Sequence, residues 1–342
     1  MNSDWKNLLI EAAASFDDAG QCVFENTPES DCQKIPLTHL GIIRVRGEDK
    51  ETFLQGQLTN DTRNINKSSS QLSGYCTPKG RMLANFRIFE DQQDNWYIVI
   101  PSERLPAILK RLSMFILRSN VEISDVSNEI LILGLCGDCI GQALANSLPD
   151  NADEVTHDDS VSYIRVETSS PRYMVVGNSE EIMALWRKLD VAIPANTSKW
   201  RLGDIKAAIP TVFENTQEAF IPQMTNMHLI NGVSFTKGCY TGQEIVARMQ
   251  YLGKLKRRMY QVSFDYDGNI QPGHEIYSSI SQSGQGAGKL VDAINTGDNH
   301  YEGLAVMEIS SADEGEIRLL DENGPLLKIN KPPYDFEGDS QS

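Results

Sequence analysis

Long apolar runs are missing from this chain. No stretch of its 342 residues approaches the roughly 20 apolar residues that a membrane-spanning helix needs. Positive charge is scarce as well: 31 Lys and Arg stand against 47 Asp and Glu, for a formal net charge of −16. Such a chain repels phosphate backbones on average, so direct nucleic-acid binding is not expected. Its one basic cluster, Lys254-Leu255-Lys256-Arg257-Arg258, reads as a solvated strand edge. Cysteine is sparse too. Six thiols over this length form no disulfide framework, and reduced thiols are the expectation. The five histidines show no metal-ligand spacing, and no metal site is expected. The first residues, Met1-Asn2-Ser3-Asp4-Trp5, carry an acid before any base and no charged-then-apolar secretory pattern. These features together point to a cytoplasmic protein.

What is present is ordinary for a globular protein, at 40% hydrophobic and 23% charged residues. The length calls for two or three domains. Trp5, Leu8, Leu9 and Ala12 predict an amphipathic helix from Asp4 to Phe16, followed by a polar linker or exposed arm to Lys34. Apolar runs and alternation predict strands at Gly41–Gly47, Leu72–Thr77, Met82–Phe89 and Trp96–Ile100, with Pro78-Lys79-Gly80 as a hairpin turn. A helix over Arg104–Leu117 and a second series of strands and helices follow, the latter from Ile130 to Leu189. This succession suggests ferredoxin-like α/β units in mixed sheets. From Arg258 onward, short alternating runs broken by Gly, Asn and Asp predict a small antiparallel barrel or sandwich.

The most informative stretch is Lys237-Gly238-Cys239-Tyr240-Thr241-Gly242-Gln243-Glu244. Thr241 and Glu244 have capping-box spacing, which predicts a helix starting near Gly242. The positive end of that helix and the Lys237 ammonium would both favour thiolate at Cys239. Residue by residue, the same stretch also reads as a glycine-rich turn with a cysteine small enough to fit. Cys136-Gly137-Asp138-Cys139 is a CxxC pair at a strand-to-helix turn; a thiol redox role through Cys136 and Cys139 is a further reading.

The run Gly232 to Glu244 resembles the hallmark of the YgfZ proteins. Phe220-Ile221-Pro222-Gln223-Met224-Thr225-Asn226 resembles the family's approach to it, Phe53 to Asp61 its N-terminal block, and Pro78 to Met82 its glycine hairpin. These matches fall in order between roughly Pro36 and Arg258, about two-thirds of the chain. The resemblance implies a folate-binding protein related to the T-protein of the glycine cleavage system and associated with iron–sulfur enzymes and tRNA modification. Its implied fold is α+β: two ferredoxin-like modules and a C-terminal antiparallel β-barrel arranged as a ring. The implied domains are an N-terminal helix and linker (1–35), a split first α/β domain (36–62 and 128–250), a second (63–127), the barrel (251–333) and an acidic tail (334–342).

By the same resemblance Trp200 contributes to binding tetrahydrofolate or another folate in the central hole, with Cys239 facing that region. An indole face is a good platform for a pterin ring, although a lone Trp on a helix also reads as core. Leu40 stands where the family can place a second Trp, and Lys206 where relatives commonly carry a Glu. The related T-protein relies on an acid in the strand after the glycine turn, and Arg81–Phe89 has none. The implied function is therefore that of an accessory to iron–sulfur and tRNA-modifying enzymes, with folate-dependent aminomethyl transfer as the alternative. Cys239 and Lys237 are the candidate reactive pair, Trp200 the folate contact, and Gly238, Tyr240, Thr241, Gly242, Gln243 and Glu244 the motif around them.

Overall fold

A computed structural model describes every residue except 19, 26, 145, 167–170, 282, 284, 285 and 337–342. Helices and strands are mixed throughout, and none of the described helices is long and apolar enough to cross a membrane. The chain divides into two compact units, both discontinuous in sequence. Residues 1–54, 62–71 and 86–200 form the first; 55–61, 72–85 and 201 onward form the second.

The first unit is organised by the strand Ile130–Cys136, which is flanked by Arg172–Asn178 and Gln33–Pro36, both antiparallel to it. Alternation along this strand sends its side chains to two different cores. Leu131, Leu133 and Leu135 join Trp5, Leu9, Ile182 and Trp186 on one face. Ile132 joins Ile35, Ile42, Phe89, Val99 and Trp200 on the other. The strand Leu40–Arg46 pairs antiparallel with Trp96–Pro101 and with Glu122–Asp125 and carries Ile42 into this second core.

The N-terminal arm departs from the sequence expectation. Its helix is shorter than predicted, Ser3–Glu11, because Ala13 adopts a left-handed conformation (φ 67°) and ends it. The residues read as a linker fold back as a hairpin, Ala14–Phe16 against Cys22–Phe24. Phe24 is the cause: it is buried and stacks on Trp186, with ring centroids 6.2 Å apart. The pair contributes about 0.5–1.5 kcal/mol beyond the area it buries, and it acts together with the buried Ala14 and Cys22 and the hydrogen bond from the Phe24 amide to Asn196 (2.6 Å).

In the second unit a six-stranded, wholly antiparallel sheet is centred on Arg257–Asp265, His300–Glu308 and Gly288–Gly297. A bulge falls between Leu290 and Asp292, and Asp292 is buried against Arg201, with which it forms an ion pair. Of the basic cluster, Arg257 pairs with Glu308 (3.4 Å) and Arg258 lies 4.0 Å from the Phe336 ring centroid. The C-terminal segment is anchored that far: the Tyr334 hydroxyl donates to the Ala208 carbonyl (3.0 Å). Most of the segment assigned to the acidic tail, 337–342, lies outside the described residues.

Candidate functional site

In the second unit the sequence motif forms a turn clamped from below. The helix Gln243–Leu252 begins as expected, but no side chain caps it, so the capping box of Thr241 and Glu244 does not form. The N-cap is Gly242 in a left-handed conformation (φ 87°), and glycine has no group to offer the helix amides. Close packing explains the choice. A Cβ on Gly242 would run into the Thr77 carbonyl oxygen and lie 3.0 Å from the Gly80 Cα. Gly80 is itself left-handed (φ 69°), and a Cβ there would lie 3.0 Å from Ile245 Cβ. The hairpin turn and the start of the helix are pressed together through two glycines, some 160 positions apart in sequence.

Lys237 is the second clamp. Its side chain is buried, and its ammonium donates to the backbone carbonyls of Gln55 (2.8 Å), Leu58 (2.7 Å) and Asn60 (2.8 Å). An ammonium has three N–H donors, and here each has a carbonyl. The Tyr240 ring lies 5.1 Å from the same nitrogen. Asn60 extends the clamp, donating to the carbonyls of Leu72 (2.9 Å) and Asn231 (2.6 Å). Thr59 donates to Gly232 (2.8 Å) and accepts from the Gly74 amide (2.7 Å). Thus the N-terminal block and the hallmark motif are one hydrogen-bonded assembly. Sequence reasoning missed Thr59 and Asn60, because nothing local announces a partner so far along the chain.

Cys239 is exposed at the crest of this turn, while the free thiols of Cys22 and Cys76 are buried and Cys136 is half-buried. Beside it, a Cβ added to Gly238 would meet nothing within 4 Å. Tyr240, next along, points inward; burial pushes its phenol well above the ordinary value, with the nearby Cys76 adding to the effect. Burial likewise pushes the Cys76 thiol up to about 12. Gln243 reaches back to the Gly238 carbonyl (3.4 Å), and Glu244 faces solvent. The arrangement presents one thiol to solvent on a backbone held by buried contacts.

The strand after the glycine turn, Met82–Glu90, carries Asn85 where its early part enters the second unit. The Asn85 amide donates to the Pro210 carbonyl (2.7 Å) and accepts from the Val212 amide (2.8 Å). Both its polar atoms are engaged in structure, and a carboxamide does not ionise to act as a general acid or base. The strand's acid, Glu90, is its last residue and lies in the first unit, 3.7 Å from Lys50.

Trp200 belongs to the first unit and is 2% exposed. The Arg172 guanidinium lies 4.7 Å from the ring centroid and donates to the Trp200 carbonyl (2.9 Å). Gly134 makes room for the indole; a Cβ there would sit 2.6 Å from Cε3. Lys206, at the end of the helix Thr197–Lys206, is exposed. Leu40 is half-buried and lines a cavity of about 640 Å³ in the first unit. Leu37, Ile132 and Leu105 supply apolar wall there, and Lys6, Asp125 and Ser127 supply polar groups. Leu37 packs in the same core cluster as Trp200.

The cysteines overturn two expectations. Cys139 is bonded to Cys32, so the thiols are not all reduced, and the CxxC pair is not a disulfide. Strand parity is the reason. Cys136 packs with the Trp200 core, whereas Cys139 and Cys32 pack with the Trp186 core on the other face of the sheet. Among the described residues, no group of three or more His, Cys, Asp and Glu side chains could hold a metal ion.

Comparison with known proteins gives the class first. The fold matches the glycine cleavage system aminomethyltransferase T of Bartonella henselae, with a TM-score of 0.69 over 97% of this chain and 96% of that one, at 13% identity. No protein-family profile matches the chain. Relatives named tRNA-modifying protein YgfZ match nearly end to end. The Colwellia psychrerythraea protein is 31% identical over 290 residues, covering 84% of this chain and 87% of its own. That of Hamiltonella defensa is 29% identical over 331 residues, covering 94% and 98%, and that of Vibrio vulnificus is 31% identical over 306 residues, covering 88% and 92%. The chain belongs to the YgfZ family.

Proposed function

We propose that this chain is a cytoplasmic, folate-binding accessory protein that supports iron–sulfur enzymes, including those that modify some tRNAs. One observation carries the reading: Cys239 is the exposed thiol on a turn anchored by the buried Lys237, which is bonded to the N-terminal block, and the buried Tyr240. A rigid backbone under a free thiol suits a residue that must meet a partner in a fixed orientation. The name shared by the relatives points to tRNA modification as the process served.

Tetrahydrofolate is the cofactor the family implies, and the cavity beside Leu40 fits it chemically. Leu37, Leu40 and Ile132 would face a flat pterin, and Asp125 and Ser127 would take its ring N–H groups. Lys6 would meet the glutamate carboxylate. Trp200 would hold the Leu37 wall from behind. Bound folate would supply a one-carbon carrier. With Asn85 committed to Pro210 and Val212, the chain offers no acid in that strand's early part to transfer the carbon itself.

Two measurements test this. Titration calorimetry with tetrahydrofolate should show saturable binding that Leu40→Arg weakens at least tenfold, since the half-buried site tolerates the fold but the cation blocks the wall. Absence of binding by the wild type, or equal binding by the variant, sinks the folate site. In cells lacking their own YgfZ protein, the chain should restore iron–sulfur-dependent tRNA modification, read by nucleoside mass spectrometry. Cys239→Ser should fail to restore it; full restoration would remove the thiol from the mechanism.

A further inference from the structure

The strand Gln33–Pro36 pairs antiparallel with Ile130–Cys136, Gln33 lying opposite Cys136. Past that last pair one chain continues to Cys32, and the other turns through Gly137 to Cys139. Gly137 (φ 101°) permits the turn, since a Cβ there would run into the Asp31 carbonyl. The turn brings the Cα atoms of Cys32 and Cys139 to 6.0 Å, within the span a disulfide requires, and the sulfurs are bonded. Both residues are half-buried rather than enclosed in the core.

Chain on the C-terminal side of Cys32 is held without that bond. The Lys34 ammonium donates to the carbonyls of Trp186 (2.8 Å) and Leu189 (3.0 Å), and lies 4.6 Å from the Trp186 ring centroid. On the N-terminal side, Ser30 bonds locally with the Cys32 backbone, and Glu25, Pro28, Glu29 and Asp31 are exposed. The disulfide is a covalent tie at the foot of the N-terminal arm, added to the hydrogen bonds from the Cys22 amide to Thr38 (3.0 Å) and from the Phe24 amide to Asn196 (2.6 Å); the arm's residues Met1, Trp5, Lys6, Phe16, Asp17 and Asp18 help to line the cavity beside Leu40.

We propose that Cys32 and Cys139 are a reversible thiol–disulfide pair that fastens the N-terminal arm and responds to low-molecular-weight disulfides of the glutathione type. In the oxidising direction one cysteine thiolate attacks a sulfur of oxidised glutathione, and one reduced glutathione leaves. The second thiolate then attacks the protein sulfur of that mixed disulfide and expels the other. Two electrons pass from the cysteines to the glutathione disulfide, and the two thiol protons end on the released glutathiones. Cys136, on the opposite face of the sheet, takes no part.

The test uses the full chain in glutathione buffers of graded redox ratio, quenched with acid and alkylated. Peptide mass spectrometry should find Cys32 linked to Cys139 at the oxidising end, both alkylated at the reducing end, and Cys136 outside the linkage throughout. Cleavage after Glu25 or Glu29 by a glutamate-specific protease should be about fivefold faster in the reduced chain, because local opening governs such cuts. Cys32→Ser in oxidising buffer should be cut like the reduced wild type. The wild type compared across buffers decides the matter even if that variant folds poorly. A linkage to Cys136, a bond absent at every ratio, a bond unbroken at every ratio, or equal cleavage in both states would each overturn the proposal.

Discussion

The ammonium of Lys237 donates to the backbone carbonyl of Asn60 at 2.8 Å across 177 positions of sequence, joining the family's two signature segments at one nitrogen. Replacing it with methionine keeps the stem and leaves the carbonyls of Gln55, Leu58 and Asn60 without their donor. Lys237→Met should therefore lose about 1–3 kcal/mol in urea unfolding, the range for buried groups stripped of a partner. Lys237→Arg should not restore it, because a planar fork cannot point three donors at three separate carbonyls. A loss below about 0.5 kcal/mol would mean that the cation is not a clamp.

Gly242 and Gly238 make a matched pair of tests within one motif. Gly242→Ala places a methyl against the Thr77 carbonyl in a left-handed backbone, and should cost about 2 kcal/mol or more. Gly238→Ala enters open space and should stay within about 0.5 kcal/mol. Equal melting temperatures for the two variants would contradict the close approach of Gly242 and Gly80.

Trp200→Ala removes a large side chain that is 2% exposed, and should destabilise the protein by about 3–5 kcal/mol. Lys206→Glu, at an exposed position, should leave the melting temperature nearly unchanged. A Trp200→Ala protein with wild-type stability would show that the indole is not part of the core.

Alkali should unfold the protein through groups that burial keeps protonated. The Cys22 and Cys76 thiols are pushed from 9.0 up to about 12, and the Tyr97 and Tyr163 phenols from 10.0 up to about 12. Unfolded, they release protons near the ordinary values, so between about pH 9 and 12 the native state binds more protons than the unfolded one. Stability must then fall as pH rises through that window. Melting temperatures at pH 8, 10 and 11 should decline in order, and Cys76→Val should soften the slope. A flat profile would refute the assignment.

Much of the site was legible because its signals are local. Pro78-Lys79-Gly80 announced a turn, and Thr241 with Glu244 announced a helix starting near Gly242, each from residues a few positions apart. What escaped was set by partners far away. Thr241 and Glu244 have capping spacing, but the Thr77 carbonyl and Gly80 leave room only for a bare backbone at position 242. Cys136 and Cys139 look like a pair until strand parity sends them to opposite faces and offers Cys139 a partner 107 residues earlier. Residues 17–34 read as polar linker because a single aromatic, Phe24, holds the hairpin to Trp186.

The second compact unit takes residues 55–61 and 72–85 from early in the chain and everything else from 201 onward. During synthesis at about 5–20 residues per second, these early pieces leave the ribosome roughly 10–30 s before Lys237 and Gly242 exist to receive them. For that interval the carbonyls of Gln55, Leu58 and Asn60 have only water, and the hairpin at Gly80 has no helix to seat against. The first unit, whose last segment ends at Trp200, can close earlier, so birth order favours a folded first half carrying two loose loops. The Lys237 ammonium then acts as a late latch, and the motif that presents the thiol gathers the two waiting loops before the sheet strands that finish the core, Met259 to Val306 among them, have been made.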